Sequence, residues 1–255
     1  MNEFCYDKND ISYSCKDVLE YHTYKVAGVV FGVYHRFVYS IKLLSKFLYS
    51  GKVPELFKIS TLFDEISALK DKLGEHPLAY YEGVAIHKRL IEKFLEYRIA
   101  MPLHCSAVCY KDKAYLFTAN SGVGKSTHTS LWLQYFGKDA FIVNDDKPFV
   151  NVKNGVAYVY GSPWNGKNDL GCPCAVPIAG ICHLKRGENN VIHEIDKKFM
   201  SAILFEQTLR FEDSKFLEST LFIMEKLISA ARTYELECNV SLEAVKVAYD
   251  GMKEV

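Results

Sequence analysis

Short apolar runs separated by polar turns fill the chain after residue 101 and predict alternating strands and helices. The runs 104–110 and 114–119 predict neighbouring strands joined by the polar turn 111–113. Asn154-Gly155 is typical of a two-residue hairpin turn. The other predicted strands are 140–144, 149–153, 156–160, 178–184, 191–195 and 233–238, and the predicted helices are 128–135, 198–205, 215–232 and a last one capped by Ser241. We expect 191–195 to form a hairpin with 178–184.

Helical spacing is clearest at 80–97, where apolar residues recur every three or four positions and charged residues occupy the other side. An amphipathic helix is also predicted at 61–73, ended by Gly74. The Val- and Tyr-rich stretch 24–33 predicts strands. The stretch 38–48 fits either a helix or a strand, and the pattern leaves that choice open.

The change of pattern after Pro102 divides the chain into two parts. We expect residues 1–100 to form a smaller α+β region and residues 101–255 to form an α/β domain. A chain of 255 residues, with 49% apolar and 24% charged residues, is long enough for this arrangement.

Charge and hydropathy exclude several classes of partner. Lys and Arg number 31 and Asp and Glu also number 31, so we expect neither a nucleic-acid nor a membrane partner. No stretch reaches the roughly 20 apolar residues that span a bilayer, and the first residues do not resemble a signal peptide, so we expect a cytoplasmic protein. The eight cysteines lack metal-binding C-x-x-C spacing and are expected to be free, mostly buried thiols.

The most informative segment is 119–127, A-N-S-G-V-G-K-S-T, between a predicted strand and a predicted helix. Glycines let successive backbone N–H groups point into one concavity, and a helix N-terminus attracts anions. Lys125 would reach phosphate oxygens, and the Ser126 hydroxyl would bind Mg²⁺. The alternative is a surface turn; the flanking elements favour a phosphate loop, although Ala119 stands where the usual pattern has glycine. The predicted phosphate-binding residues are Asn120, Ser121, Gly122, Val123, Gly124, Lys125, Ser126 and Thr127.

Two adjacent carboxylates, Asp145 and Asp146, follow the predicted strand 140–144. Because alternate side chains leave a strand in opposite directions, one aspartate could hold Mg²⁺ with Ser126 while the other takes a proton from an acceptor hydroxyl. We assign Asp145 to the metal and both aspartates to catalysis. The competing interpretation is a turn, since Asn-Asp-Asp-Lys-Pro is also good turn chemistry.

Two further basic side chains are candidate catalytic residues. With 111–113 at the hairpin tip, His104 would face about residue 120, close enough to donate to a phosphoryl group or to the acceptor. Lys167, in the glycine-rich loop 160–171, could hold phosphate. Lys185 and Arg186, at a strand end, could also reach an anion, but the favoured interpretation is that they are solubilising charges. His128, His183 and His193 are interpreted as packing or surface residues.

These motifs together resemble the C-terminal catalytic domain of HPr kinase/phosphorylase, and more widely the phosphoenolpyruvate carboxykinase-like P-loop superfamily. The resemblance rests on His104-x-Ser-Ala, Ser121-Gly-Val-Gly-Lys-Ser and the Asp145-Asp146 pair, and runs from about residue 104 to 184. It implies a mixed sheet flanked by helices, ATP or another nucleoside phosphate as donor, Mg²⁺ as cofactor, and a homo-oligomer.

The activity that the resemblance implies is phosphoryl transfer to a serine-type hydroxyl. In that role His104 assists the phosphoryl group and one of the two aspartates is the base. The Glu-x-Arg-Gly loop of true HPr kinases is absent, and Tyr160-Gly-Ser-Pro-Trp164 stands in its place. The acceptor is therefore left open between a small molecule and a peptide or protein. Two alternatives also stay open, a phosphohydrolase using the same site and a nucleotide-binding regulatory module that docks a partner through residues 1–100.

Overall fold

The computed structural model describes residues 15–166, 169–209 and 211–253 and divides the chain into two compact units. The first unit extends to Lys93 and the second begins at Phe94. The second unit thus begins inside the helix Leu78–Glu96 and not at the expected residue 101. Within the described ranges, no helix is long and apolar enough to cross a bilayer.

The first unit combines a β-hairpin, a short third strand and helices. Its elements are β1 (Cys15–Val26), β2 (Val29–Phe37), α1 (Val38–Leu44), β3 (Phe57–Ile59), α2 (Phe63–Leu73) and the part of α3 (Leu78–Glu96) that precedes Phe94. β1 and β2 pair antiparallel around Ala27 and Gly28, which both have positive φ, as a two-residue hairpin turn requires. The stretch 38–48 begins as a helix because Ser40 and Leu44, one turn apart, are both buried.

A buried carboxylate joins α3 to the start of α1. Glu82 is fully buried, and its two carboxylate oxygens accept the Arg36 N–H at 2.6 Å and the Phe37 N–H at 3.1 Å. The Ser40 hydroxyl lies 2.6 Å from Glu82 Oε2 and 2.7 Å from His35 Nδ1. Burial raises the pKa of the Glu82 carboxyl. The carboxylate therefore satisfies backbone donors where the chain passes from β2 into α1, a role that the sequence pattern did not indicate.

Replacing Glu82 with glutamine is expected to destabilise the protein by about 2 kcal/mol, because the amide NH₂ would face the backbone N–H of Arg36 or Phe37 in place of a carboxylate oxygen. Urea unfolding followed by circular dichroism measures the change. Glu75→Gln, at an exposed glutamate of the same unit, is the matched control. A loss for Glu82→Gln no larger than that of the control would contradict this role.

The second unit is built on a mixed β-sheet. Its elements are β4 (Met101–Pro102), β5 (Ser106–Tyr110), β6 (Lys113–Thr118), α4 (Lys125–Phe136), β7 (Ala140–Asn144), β8 (Phe149–Lys153), β9 (Val156–Tyr160), β10 (Ala175–Arg186), β11 (Val191–Glu194), α5 (Lys197–Glu206), α6 (Ser214–Ala230), β12 (Arg232–Cys238) and α7 (Leu242–Met252). The strand order is β4-β8-β9-β10-β6-β5-β7, and β12 pairs with both β10 and β11. β10 is parallel to β6 and β12, whereas β5 is antiparallel to β6 and β7.

Helices flank this sheet. α4 and α7 contribute to a core that includes Tyr115, Trp132, Tyr234 and Val245. α6 packs against β4, β8, β9 and β12, and α5 packs against α6. The expectation of an α/β protein with a mixed sheet and flanking helices is confirmed.

The pairing of one predicted strand is wrong. β11 does not pair with β10, its expected hairpin partner, but lies antiparallel to β12, which is inserted between them. Thr233, Tyr234 and Leu236 of β12 are buried, whereas Val191 of β11 is exposed. The more apolar strand thus takes the interior position, and the neighbour in sequence is moved to the edge.

The cysteines also differ from expectation. A disulfide joins Cys172 and Cys174 in the loop before β10, where free thiols were predicted. The Cys174 N–H donates to the Cys172 carbonyl at 2.8 Å, and this tight turn brings the two sulfur atoms together. C-x-C spacing carries no strong sequence signal for such a bond. Burial raises the pKa of the free thiols of Cys105, Cys109 and Cys182.

Candidate functional site

The segment Ala119–Thr127, called here the glycine loop, connects β6 directly to α4. Gly122 has φ 82° and Gly124 has φ 123°, values that side chains disfavour, and a Cβ at either would meet no atom within 4 Å. Ala119 is buried and has no positive φ, so alanine fits where the usual pattern has glycine. No side chain caps the α4 N-terminus, so its first N–H groups face the loop without that partner.

Lys125 lies folded across the glycine loop. The residue is only 8% exposed, and its Nζ donates to the Ala119 carbonyl at 2.9 Å. Burial lowers the pKa of Lys125, while the charges of Asp146 and Asp145 act in the opposite direction. The ammonium group is therefore within the field of both predicted catalytic aspartates.

Arg186, at the end of β10, holds the glycine loop from its other side. Its Nε donates to the Val123 carbonyl at 3.2 Å, and its Nη2 donates to the Gly122 carbonyl. These two hydrogen bonds connect the adjacent carbonyls of Gly122 and Val123 to the end of β10. Arg186 is exposed at a strand end, as expected for a solubilising charge, but it also contacts the glycine loop. The available signal was its place at the carboxyl end of a strand next to the loop.

Asp145 and Asp146 leave the end of β7 toward different partners. Asp145 is buried, and its Oδ1 accepts the Ser106 hydroxyl at 2.6 Å. Ser106 lies 2.7 Å from the hydroxyl of Thr129, one turn after Ser126 on α4. These hydrogen bonds connect Asp145 to the helix that carries the predicted metal-binding serine.

The second aspartate lies beside the predicted histidine. Asp146 Oδ1 is 3.6 Å from His104 Nε2, and its Oδ2 accepts from Lys147 Nζ at 2.9 Å. The buried Asn144 side chain accepts the backbone N–H groups of Asp146 at 2.9 Å and Lys147 at 2.8 Å. Asn144 therefore fixes the turn that separates the two carboxylates. Sequence reasoning treated it only as turn chemistry and missed this positioning role.

His104 is held between Asp146 and the glycine loop. Its Nδ1 lies 3.1 Å from Gln207 Oε1, and Gln207 Nε2 donates to Asn120 Oδ1 at 3.4 Å. Burial lowers the pKa of His104, with the Lys125 charge acting in the same direction and Asp146 opposing it. The turn between β5 and β6 consists of Lys111 and Asp112 alone, whereas a three-residue turn, 111–113, was predicted. The pairing of the two strands is therefore shifted by one residue from the predicted alignment. Gln207 had no sequence signal, because it arrives from the end of α5.

The other predicted site residues are less constrained. Asn120, Ser121, Ser126 and Thr127 are exposed along the glycine loop and the start of α4. Lys167, predicted as a catalytic residue, lies outside the described residues. In the part of the chain that the structure describes, no group of three or more His, Cys, Asp or Glu side chains is arranged to hold a metal ion.

His128 is buried on the first turns of α4 behind the glycine loop. Its Nε2 accepts the Trp132 indole N–H at 3.1 Å, and its Nδ1 has no hydrogen-bond partner. Burial lowers the pKa of His128 to about 4. The ring is therefore neutral near pH 7, and its proton lies on Nδ1 because Nε2 is occupied as an acceptor.

Acid is expected to destabilise the fold through His128. Between pH 6.5 and 4 the unfolded chain binds a proton that the folded chain does not, so stability falls as the pH decreases. From pH 7 to pH 5 this contributes a loss of about 2 kcal/mol. Urea unfolding of the wild type and of His128→Gln at both pH values measures it, and the variant should show the smaller pH dependence. His193→Gln, at an exposed histidine, should keep the wild-type pH dependence; equal pH dependence in all three proteins would contradict the assignment.

Comparison with known proteins gives similarity to solved structures alone. No protein-family profile and no curated protein sequence matches the chain. The structure of the HPr(Ser) kinase/phosphatase from Coxiella burnetii is similar, with 10% identity and a TM-score of 0.33 over 58% of this chain and 91% of that chain. Since this likeness is distant, function is inferred below from the site residues.

Proposed function

We propose that this protein is a Mg²⁺-dependent kinase that transfers the γ-phosphoryl group of ATP to a hydroxyl group. The observation that carries the proposal is the buried Lys125 ammonium group, which donates to the Ala119 carbonyl at the base of the glycine loop and whose pKa the charges of Asp146 and Asp145 act to raise. A lysine at the start of a helix, a loop with two glycines at positive φ and a nearby carboxylate pair are the parts that phosphoryl transfer needs.

The glycine loop would bind the triphosphate. Arg186 fixes the carbonyls of Gly122 and Val123, and the N–H groups at the start of α4 are available to phosphate oxygens. Lys125 would exchange its contact with the Ala119 carbonyl for phosphate oxygens. Positive charge at this point stabilises the charge that spreads over the phosphoryl oxygens during transfer.

Asp145 and Ser126 fit a magnesium ion by their donor chemistry. Mg²⁺ in nucleotide sites takes one or two carboxylates together with substrate phosphates and waters, so a large cluster of protein ligands is not required. A Cβ at position 166 would lie 3.0 Å from Asp145 Oδ2, so Gly166 leaves room around this oxygen. When bound, the ion would neutralise charge on the β- and γ-phosphates. Ser106 holds the carboxylate in place from the other side.

Asp146 is the proposed base. It would take the proton of the acceptor hydroxyl as the acceptor oxygen bonds to the γ-phosphorus and the bond to ADP breaks. His104 Nδ1 faces an oxygen that can only accept, so the neutral ring carries its proton there and presents the Nε2 lone pair toward Asp146. An acceptor hydroxyl beside Asp146 would donate its one proton to the carboxylate, with the His104 ring next to it.

The experiment that tests the proposal follows the γ-phosphoryl group. Mg·[γ-³²P]ATP is incubated with the protein and, separately, a small-molecule extract or a protein fraction of the cells that produce it. Label in a new small molecule would identify a metabolite kinase, and label on a polypeptide a protein kinase. Release of inorganic phosphate alone would replace transfer with hydrolysis. ATP binding without turnover in either fraction would contradict the kinase proposal and favour a regulatory nucleotide-binding role.

A further inference from the structure

The disulfide between Cys172 and Cys174 takes no part in the proposed reaction and closes a very short ring. The two cysteines are only two positions apart in the sequence. The stabilisation that a disulfide gives by restricting the unfolded chain decreases with the length of the loop that it closes. The two sulfur atoms also stay close together when the bond is broken, which favours its re-formation. This disulfide is therefore a weak staple of the fold and is suited to reversible reduction.

The disulfide is accessible to an external thiol. Cys172 and Cys174 are half-buried, whereas the free thiols of Cys105, Cys109 and Cys182 are buried. Thiol–disulfide exchange requires that a thiolate reach one of the two sulfur atoms. The bonded pair is therefore easier to reach than these three thiols.

The turn that contains the disulfide is bound to the ends of β7 and β9. The Cys172 N–H donates to the Val143 carbonyl at 3.2 Å, and the Gly161 N–H donates to the Cys174 carbonyl at 3.1 Å. A Cβ at position 161 would overlap the Cys172 carbonyl oxygen, so only glycine allows the backbone segments to approach this closely. The conformation of the disulfide turn thus affects the end of β7, two residues before Asp145.

Side chains connect the same turn to the backbone of the proposed base. Gly171, the residue before the disulfide, packs against Asn165, and a Cβ at position 171 would overlap the Asn165 side chain. Asn165 Oδ1 accepts from Asn144 Nδ2 at 2.6 Å. Asn144 Oδ1 in turn accepts the N–H groups of Asp146 and Lys147. A chain of contacts therefore extends from the disulfide turn to Asp146.

The residues between β9 and the disulfide also contact the aspartate turn directly. The Ser162 hydroxyl donates to the Lys147 carbonyl at 2.6 Å. Gly166 lies beside Asp145, since a Cβ at position 166 would be 3.0 Å from Asp145 Oδ2. This segment therefore supports the surroundings of both carboxylates, and the disulfide turn supports the segment.

We propose that the Cys172–Cys174 disulfide is a reversible redox switch, whose oxidised form holds the two aspartates in the arrangement described above. The inference rests on the kinase proposal and adds its regulation. A thiolate of a dithiol reductant would attack one sulfur atom, so that the S–S bond breaks and a mixed disulfide forms. The second thiol of the reductant would then attack the mixed disulfide and release the reductant as its own disulfide. Two electrons and two protons pass to the cysteines, which end as two thiols.

Amide hydrogen exchange tests the switch without reference to catalysis. The protein is compared before and after treatment with dithiothreitol, and mass spectrometry counts its free thiols. Reduction should speed exchange of the Asp146 and Lys147 amides at least about threefold, because the Asn144 contact that protects them loses support. Exchange in α7 should not change, and reoxidation should restore the original rates.

Two results of this experiment would overturn the proposal. One is unchanged exchange of the Asp146 and Lys147 amides after complete reduction. The other is a disulfide that no mixture of reduced and oxidised glutathione can both open and re-form, since such a bond would not be reversible.

Variants assign the response to this pair of cysteines. The double variant Cys172→Ser, Cys174→Ser should show the exchange of the reduced protein with and without dithiothreitol. Cys238→Ser removes a half-buried free thiol and should keep the full response of the wild type. A response of the double variant to dithiothreitol would assign the effect to another cysteine and overturn the proposal. If the double variant does not fold, the comparison of oxidised and reduced wild type still decides.

Phosphoryl transfer separates this inference from the kinase proposal. Reduction should lower the transfer rate of the wild type at least about tenfold, as expected when catalytic groups are displaced, and should not change the rate of the double variant. Equal transfer by oxidised and reduced wild type would overturn the switch and leave the kinase proposal intact. Absence of transfer from both forms, with the exchange response present, would contradict the kinase proposal and still support a redox-sensitive aspartate turn.

Discussion

Lys125→Ala is expected to abolish phosphoryl transfer, with kcat/KM reduced by at least about 10³-fold. The variant loses the ammonium group, which is the one buried cation proposed to contact the transferred phosphoryl group. The side chain is nearly buried and lies within the field of Asp145 and Asp146, so no mobile surface lysine can replace it in the same geometry. ATP affinity should fall as well, because in the proposed site the lysine would also bind the phosphates before transfer. Single-turnover transfer and titration calorimetry measure the two effects separately.

Lys138→Ala provides the matched control for this prediction. Lys138 is an exposed lysine in the 3-10 turn Gly137–Asp139, at the opposite end of α4 from the glycine loop. Its removal should leave both transfer and ATP affinity unchanged. Near-normal transfer by Lys125→Ala would refute the phosphate-binding role of the lysine and with it the proposed site.

Asp146→Asn is expected to reduce kcat by about 10²–10⁴-fold, the usual contribution of a general base, while ATP affinity changes less than about twofold. Asparagine keeps the shape of the side chain but cannot take the proton of the acceptor. The pattern of lost turnover with retained binding distinguishes a base from a phosphate-binding residue. Steady-state kinetics and ATP titration on the same preparation measure it.

Asp139→Asn removes a carboxylate of the same type at an exposed position and should have wild-type kinetics. Asp145→Asn serves as a second comparison, since its expected effect is a higher Mg²⁺ requirement and not a selective loss of kcat. If Asp146→Asn retains normal transfer while Asp145→Asn loses it, the roles assigned to the two carboxylates must be exchanged.

The elements of the second unit could be predicted closely from local pattern. β7, β8 and β9 have the predicted bounds, and the last helix begins after Ser241, whose hydroxyl accepts the Ala244 N–H at 3.2 Å. These elements follow from short-range rules: apolar periodicity, a turn dipeptide and a helix cap. The pairing of the strands could not be predicted in this way, because local pattern does not specify which strands become neighbours. β12, which comes long after β10 and β11 in the sequence, lies between them in the sheet.

The candidate site shows the same division. The sequence identified the residues whose chemical type is distinctive in a motif, namely the glycine loop, the aspartate pair and His104. It missed Asn144, Gln207 and Arg186, which act through hydrogen bonds to those residues. Amides and surface-type cations occur throughout any chain, and their roles emerge only from the groups they face.

By itself, the sequence determined the succession of strands and helices, the glycine positions that allow positive φ, and the candidate residues for phosphate binding and proton transfer. Only the tertiary structure decided the strand order, the burial that lowers the pKa of Lys125 and His104, and the separate surroundings of Asp145 and Asp146. The physical reason is range. Backbone conformation and periodicity depend on residues a few positions apart in the sequence. Desolvation and hydrogen-bond partners depend instead on residues that are distant in the sequence, such as Ser106, Lys125 and Gln207, and that only the fold brings into the site.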